Sequence, residues 1–167
     1  MKHIFVRLDR CTGCRECELA CAVEHSASKE LLTAIFETPP PRKRLYVESG
    51  DGRSVPILCR HCDDAPCLAA CLSGAIYRDR AREGVVVQRA DKCIGCWTCI
   101  MVCPYGVIGR RLDGGRWVAA KCDRCPDRAI PACVEACPTK ALVYAEPEEW
   151  ARMARRTVAT TLAGQEG

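Results

Sequence analysis

The amino-acid sequence predicts an α+β fold in which short strands and hairpins surround groups of cysteine, with one longer helix at the C-terminal end. Cysteine accounts for 16 of the 167 residues, and all of them fall into four groups of four. Short runs rich in β-branched residues alternate with glycine-containing turns, which predicts hairpins. From Pro147 onward the apolar residues recur with helical periodicity, which predicts the helix.

Each cysteine group begins with C-x2-C and ends with C-x3-C. The third group is closed by Pro104 and has the spacing C-x2-C-x2-C-x3-C-P, which is typical of cubane iron–sulfur clusters. Four groups with the same ends predict four [4Fe–4S] clusters, with all 16 cysteines as ligands. The groups are Cys11, Cys14, Cys17 and Cys21; Cys59, Cys62, Cys67 and Cys71; Cys93, Cys96, Cys99 and Cys103; and Cys122, Cys125, Cys133 and Cys137.

Two other uses of cysteine were weighed against iron–sulfur clusters. A disulfide scaffold needs an oxidising compartment, but residues 1–9 lack the roughly 7–15-residue apolar segment of a secretory signal. Structural zinc uses C-x2-C pairs separated by about 12–20 residues and needs no third cysteine nearby. A zinc-binding structural or interaction module is therefore the alternative function, and colour distinguishes it because an iron–sulfur protein is brown.

Ordinary core residues are scarce, since only about a fifth of the chain is Leu, Ile, Val or Phe. That share is close to the level at which highly charged chains are disordered. The clusters must therefore fill the interior, and metal binding is expected to be coupled to folding. The metal-free chain should be unstable.

The formal net charge of +4 does not indicate a nucleic-acid partner. An oxidised cubane with four thiolates carries roughly −2, so four clusters would make the loaded protein acidic. The basic residues are better interpreted as compensation for buried cluster charge. No stretch approaches the ~20 apolar residues of a membrane span. We therefore expect a cytoplasmic protein with no membrane span of its own.

The elements between the cysteine groups are short. A brief helical turn is expected after Cys21, and Ser28 is a candidate N-cap for a helix that extends to Phe36 before Pro39–Pro41. Strands are predicted at residues 3–8, 45–48, 55–58, 75–78, 85–87, 117–119 and 142–144, with turns at 50–52 and 113–115. The order of strand, cysteine group, hairpin, cysteine group and strand occurs twice, which indicates an internal repeat.

The last helix begins at Pro147, which suits the first helical position, and acidic residues follow in its first turn. Gly164 is expected to end it. Its apolar stripe is formed by Trp150, Met153, Ala154, Val158 and Leu162. The stripe either packs on the body of the same chain or docks on a partner or a neighbouring copy.

Four stretches of the chain resemble the four-cluster, ferredoxin-like subunits of multi-subunit oxidoreductases. The resemblance covers most of residues 3–145 and is greatest to the iron–sulfur protein associated with carbon monoxide dehydrogenase. Related subunits accompany formate dehydrogenase, formate hydrogenlyase, dimethyl sulfoxide reductase and tungsten aldehyde oxidoreductase. The stretches are Cys17–Ser26, Cys59–Cys67, Gly95–Gly106 and Pro131–Leu142.

This resemblance implies two ferredoxin-like modules, each with two [4Fe–4S] clusters and one inserted in the other. Residues 1–52 and 111–146 would form the outer module, residues 53–110 the inserted module, and residues 147–167 a docking helix. The implied ligand sets are Cys11, Cys14, Cys17 and Cys137 for cluster 1; Cys59, Cys62, Cys67 and Cys103 for cluster 2; Cys93, Cys96, Cys99 and Cys71 for cluster 3; and Cys122, Cys125, Cys133 and Cys21 for cluster 4. A tandem arrangement, pairing group one with two and three with four, stays open.

Two residues near the predicted ligands need separate comment. Some related subunits replace a ligand of the third group by Trp, but Trp97 lies between two intact cysteines, so no cluster is expected to be lost. His61 could bind iron, but four cysteines are already available. We expect it to donate a hydrogen bond near a cluster instead.

The resemblance implies a non-catalytic electron-transfer subunit of anaerobic metabolism. Electrons would pass through four clusters between a catalytic metal-containing oxidoreductase and a partner that contains FAD and uses NAD or ferredoxin. Carbon monoxide dehydrogenase, tungsten aldehyde oxidoreductase, formate dehydrogenase and hydrogenase are candidate catalytic partners. Self-association into a filament would lengthen the path. A cluster acting as a Lewis acid would need only three cysteines, whereas the 16 divide evenly into fours.

Overall fold

The computed structural model of the chain describes residues 1–164, so the last three residues of the predicted docking helix lie outside the described part. The described residues form short strands and mostly short helices. The strands are β1 (His3–Val6), β2 (Tyr46–Gly50), β3 (Arg53–Ile57), β4 (Ile76–Asp79), β5 (Val85–Gln88), β6 (Gly109–Asp113), β7 (Arg116–Ala120) and β8 (Leu142–Ala145). The helices are α1 (Glu16–Glu24), α2 (Leu31–Ala34), α3 (Pro66–Ala69), α4 (Thr98–Met101), α5 (Ala132–Glu135) and α6 (Pro147–Ala163).

The strands pair in twos to give four antiparallel sheets in the described part of the chain. Three of these are local hairpins, β2–β3, β4–β5 and β6–β7. The turns Asp51–Gly52 and Gly114–Gly115 have positive φ at both positions, as a two-residue type I′ turn requires. The fourth sheet pairs β1 with β8, with His3 opposite Ala145. Residues 136 to 142 positions apart are thus brought together.

The cysteine-bearing helices pack in two pairs. Helix α1 packs against α5, and α3 packs against α4. The buried side chains form two cores, each rich in cysteine and small aliphatic residues. The first contains Cys17, Cys21, Leu45, Val47, Leu58, Cys133, Val134, Cys137, Ala141 and Leu142. The second contains Ala65, Cys67, Ala75, Ile76, Val86, Cys93, Cys99, Ile108, Val118 and Ala119.

The predicted α+β class, with short hairpins and a C-terminal helix, is confirmed. Every predicted strand is present with its bounds shifted by one to two residues, and α6 begins at Pro147 and runs to Ala163 as expected. No helix in the described part of the chain is both long and apolar enough to cross a membrane.

Two local features differ from the sequence prediction, one helix and one strand. The helix expected from Ser28 to Phe36 spans only Leu31–Ala34, because the Glu30 carboxylate rather than Ser28 accepts the first amide hydrogen bonds. Its apolar residues stay outside the core, with Phe36 85% exposed. The helical turn expected after Cys21 is present and forms the last part of the nine-residue helix α1. Strand β6 was missed, since its Gly-Arg-Arg-Leu-Asp sequence shows no apolar alternation.

Candidate metal centres

The loops between the cysteines of each group turn sharply because some of their residues adopt positive φ. In the first group these are Gly13 and Arg15, and in the third group Gly95 and Trp97 occupy the equivalent positions. The left-handed conformation costs a residue with a Cβ about 1–2 kcal/mol. Arg15 and Trp97 therefore keep it only because the surrounding structure holds their backbone in place. At Gly13 a side chain would also collide with Ser54. These turns change the direction of the backbone between successive cysteines of a group.

All 16 thiols are free, and two of the predicted ligand sets each line a small cavity. Each cavity combines three cysteines of one group with the last cysteine of another. The first is lined by Cys59, Cys62, Cys67 and Cys103, and the second by Cys93, Cys96, Cys99 and Cys71. The packing of α3 against α4 produces this exchange of the last cysteine.

The other two predicted sets meet where α1 packs against α5. Burial, with smaller contributions from the nearby thiols of Cys137 and Cys14, raises the pKa of the Cys17 thiol to about 11. Burial also raises the pKa of Cys133 well above its ordinary value, with Cys21 among the thiols that add to the effect. The last cysteine of group four therefore lies beside group one, and the last cysteine of group one lies beside group four.

Backbone amides donate hydrogen bonds to the last cysteine of three groups. The Arg44 amide lies 3.2 Å from Cys21 Sγ, and the Ala141 amide lies 3.2 Å from Cys137 Sγ. The Ile76 amide donates to Cys71 Sγ at 3.3 Å. An N–H bond favours the thiolate over the thiol, and such bonds tune the potential of a bound cluster.

These features test whether the donor set fits an iron–sulfur cluster. Four soft sulfur ligands converge at each place, and burial makes their thiolate forms unfavourable unless a cation neutralises them. Amide donors already point at the sulfurs, and two of the sets border unfilled space. The soft thiol donors and the amides that point at them therefore fit [4Fe–4S] clusters.

A buried lysine that the sequence analysis missed lies beside one of these cavities. The Lys121 ammonium donates to Cys59 Sγ at 3.1 Å and to the Val86 carbonyl at 2.6 Å. His61 Nδ1 lies 2.9 Å from the same carbonyl, so the expected histidine donor bonds to the backbone rather than to sulfur. Burial, reinforced by the Lys121 charge, lowers the pKa of His61 to about 2, so its ring is neutral.

A second polar network lies at Cys21. His25 Nε2 is 3.1 Å from Asp123 Oδ1, and Arg44 donates to the other carboxylate oxygen at 2.6 Å. Burial is the largest single influence and lowers the pKa of His25, but the hydrogen bonds to Asp123 and Cys21 and the Asp123 charge together raise it to about 9. Ligand atoms of His25, Asp123 and Cys125 lie within 4.8 Å of one another. Because His25 and Asp123 already form an ion pair, the network positions the cysteine loop and is no separate metal site.

Comparison with known families gives two matches. A model described as "4Fe-4S dicluster domain" matches residues 51–146, which is more than half of the chain. A second model, described as "4Fe-4S binding domain", matches residues 8–24. The first range contains cysteine groups two, three and four, and the second contains group one.

Three characterised relatives show the same class of protein. An "Iron-sulfur protein" from Rhodospirillum rubrum is 44% identical over 153 residues, covering 83% of this chain and 79% of the relative. The "Electron transport protein HydN" from Escherichia coli strain K12 is 38% identical, covering 85% of this chain and 86% of HydN. The "Thiosulfate reductase electron transfer subunit PhsB" from Salmonella typhi is 34% identical, covering 84% of this chain and 73% of PhsB.

Proposed function

Since this chain belongs to the family of 4Fe-4S dicluster domain proteins, we propose that it is a non-catalytic electron-transfer subunit of an oxidoreductase complex, with four [4Fe–4S] clusters. The observation that carries the proposal is the gathering of cysteine thiols in fours, each set made from two cysteine groups. The names of HydN and PhsB, an electron transport protein and an electron-transfer subunit, support the function class.

We assign the ligands in the nested arrangement. The proximity of each group's last cysteine to the paired group supports it, as does the pairing of β1 with β8. The proposed sets are Cys11, Cys14, Cys17 and Cys137; Cys59, Cys62, Cys67 and Cys103; Cys93, Cys96, Cys99 and Cys71; and Cys122, Cys125, Cys133 and Cys21. The outer module is then 1–52 with 111–146, and the inserted module is 53–110. Hairpin β6–β7 joins them, since Val118 and Ala119 pack in the second core.

When bound, a [4Fe–4S] cluster supplies a centre that accepts or releases one electron. The residues of the chain would hold these centres in a spatial row and set the hydrogen bonding, burial and charge around each one. Three pairs of thiols from different sets lie near one another, and they are Cys17 with Cys133, Cys122 with Cys59, and Cys67 with Cys99. These neighbours support a single row, with cluster 1 at one end and cluster 3 at the other.

The relatives named as electron-transport and electron-transfer proteins support a separate catalytic partner. Chemistry would reside in a catalytic metal-containing subunit, with carbon monoxide dehydrogenase, tungsten aldehyde oxidoreductase, formate dehydrogenase and hydrogenase as candidates. A FAD-containing NAD or ferredoxin reductase would stand at the other end of the row. A cytoplasmic location belongs to the proposal, because reduced thiols are maintained there.

Metal content tests this function. Purified without oxygen, the chain should contain about sixteen iron and sixteen sulfide per polypeptide, because each cubane has four of each. It should accept electrons from a reduced dye but show no turnover with carbon monoxide, an aldehyde or formate. Zinc in place of iron, or iron sufficient for only two clusters, would contradict the proposal.

The exposed apolar residues in the C-terminal half of helix α6 support a docking role for that half. Its first turns pack on the body, where Trp150 stacks on Phe5 at 4.8 Å between ring centroids. Further along, Val158 is 57% exposed and Leu162 is 60% exposed. Apolar residues left uncovered on one helix face favour a contact with another protein. We assign this face to a partner subunit; a second copy of the chain, which would allow a filament, is the other outcome.

Substitution of this face should weaken assembly without loss of iron. Val158→Asp with Leu162→Asp places two charges on the exposed apolar face, and size-exclusion chromatography of the co-expressed complex measures the result. Thr157→Asp with Thr161→Asp adds the same charge to a different face and serves as the matched control. Equal assembly of both variants, or loss of iron from the first, would mean that α6 does not dock.

A further inference from the structure

The junction between the two proposed modules contains a buried ammonium. Lys121 follows directly after β7, precedes Cys122, and is only 3% exposed. Its Nζ reaches Cys59 Sγ, which belongs to a cysteine group 62 residues earlier in the chain. The side chain therefore spans from one proposed ligand set to the next.

The positive charge of Lys121 has no carboxylate partner. In the described part of the chain its Nζ contacts are the Cys59 sulfur, the Val86 carbonyl and the His61 ring, at 3.1, 2.6 and 3.5 Å. Neither the carbonyl nor an imidazole ring carries a negative charge that could pair with the ammonium. A buried charge requires a counter-charge, so the thiolate of Cys59 and the cluster it holds must supply one.

The other cations near sulfur differ from Lys121. His25 Nδ1 lies 3.7 Å from Cys21 Sγ, a longer contact, and both His25 and Arg44 contact the single carboxylate of Asp123. Arg124 is buried near the same junction, but it donates to the Lys2 carbonyl and contacts the His3 ring rather than a sulfur. In the described contacts, Lys121 is the one cationic side chain without a carboxylate contact that donates directly to the sulfur of a predicted ligand.

We propose that Lys121 raises the reduction potential of the cluster held by Cys59, Cys62, Cys67 and Cys103 above that of the other three, so that electrons rest at the junction of the row. This inference rests on the proposed electron-transfer function. Reduction adds a negative charge to the cluster, and the Lys121 ammonium stabilises that charge at short range. Lys121 acts on the cluster through its charge and is not a ligand of the iron.

The variant Lys121→Met tests the inference, since it keeps much of the side-chain length and removes the charge. In a potentiometric titration followed by EPR, the cluster that is reduced most easily should become harder to reduce. We expect at least a tenfold change in its ratio of reduced to oxidised form at a given potential, which for one electron is about 59 mV. The other three clusters should shift less.

Lys92→Met is the matched control, because Lys92 also directly precedes the first cysteine of a group but is exposed. It should leave all four potentials unchanged. Lys121→Arg should retain most of the high potential. An unchanged highest potential in Lys121→Met, or an equal shift of all four clusters, would overturn the inference.

A measurement on the unsubstituted protein covers the case in which Lys121→Met loses iron. With 15N in the lysine side chains, pulsed EPR of the most easily reduced cluster should detect coupling to one lysine nitrogen. Absence of that coupling would overturn the inference. A protein without any iron–sulfur EPR signal after reduction would instead contradict the proposed function, so the two failures are distinguishable.

Discussion

Cys21→Ser is expected to abolish the cluster formed with Cys122, Cys125 and Cys133, more than 100 residues downstream. Cys21 lies on α1, which packs against α5 and so places this thiol beside Cys133. Serine oxygen is a harder and shorter ligand than a thiolate and suits iron–sulfur clusters poorly. The purified variant should therefore contain about four iron fewer than the roughly sixteen of the parent.

A second substitution decides which cluster has been lost. In the Cys21→Ser background, Cys133→Ser should cost no further iron because both residues serve one cluster, whereas Cys67→Ser should cost about four more. Tandem pairing of the groups reverses this pattern, so that Cys67→Ser becomes the silent addition. Iron analysis and EPR spin quantitation of the single and double variants measure the difference without assigning any spectrum.

The cysteine spacing predicted the kind of site but not its pairing. C-x2-C and C-x3-C fix which thiols share a loop, because the intervening residues are few. Which loop lends its last thiol to which other loop depends on the packing of α1 on α5 and of α3 on α4. Local spacing contains no information on that packing, so the nested sets rested on a resemblance. The two sets that join groups two and three each line one cavity, and the nested arrangement as a whole stays a proposal.

The secondary structure was predictable where local rules act alone. Pro147 and the acidic residues after it indicate a helix start, and two glycine-containing turns indicate hairpins. The prediction failed between residues 28 and 36, where apolar spacing suggested a longer buried helix. Those side chains are exposed and a Glu30 cap limits the helix to one turn.

Electrostatic details of the sites were not predictable. Lys121 lies 62 residues from Cys59, and Arg44 lies 79 residues from Asp123. A charged residue has the same appearance in the sequence whether it is solvated or buried against a sulfur. Only the tertiary structure distinguishes Lys121 from the exposed Lys92, although both directly precede a cysteine group.

Removal of iron is expected to unfold the chain. The elements between the clusters have little independent stability, since an isolated two-stranded sheet is marginal and helices of one turn do not form alone. The largest fully buried side chains are few and aliphatic, and Phe36 is exposed. A structural zinc site contributes on the order of 10 kcal/mol to folding, comparable with the roughly 5–15 kcal/mol of a whole domain. Loss of several metal sites should therefore remove more folding free energy than the remaining core can supply.

The buried thiols further destabilise the metal-free chain as the pH rises. Burial raises the pKa of Cys122 to about 12 and of Cys99 to about 11, so the folded, metal-free chain would have to keep these thiols protonated. A raised thiol pKa contributes stability that is present below the ordinary value of about 9 and is lost as pH rises toward 12. Any residual structure of the metal-free chain should therefore weaken between pH 9 and 12.

Circular dichroism and thermal melting after anaerobic chelation measure both effects. The iron-free chain at pH 7 should lose its cooperative melting transition, and iron with sulfide should restore it. The control is the same treatment with the chelator already saturated with iron, which should leave the transition intact. A cooperative melt of iron-free protein with all sixteen thiols titratable, or residual structure that strengthens from pH 9 to 12, would show that packing rather than metal binding holds the fold together.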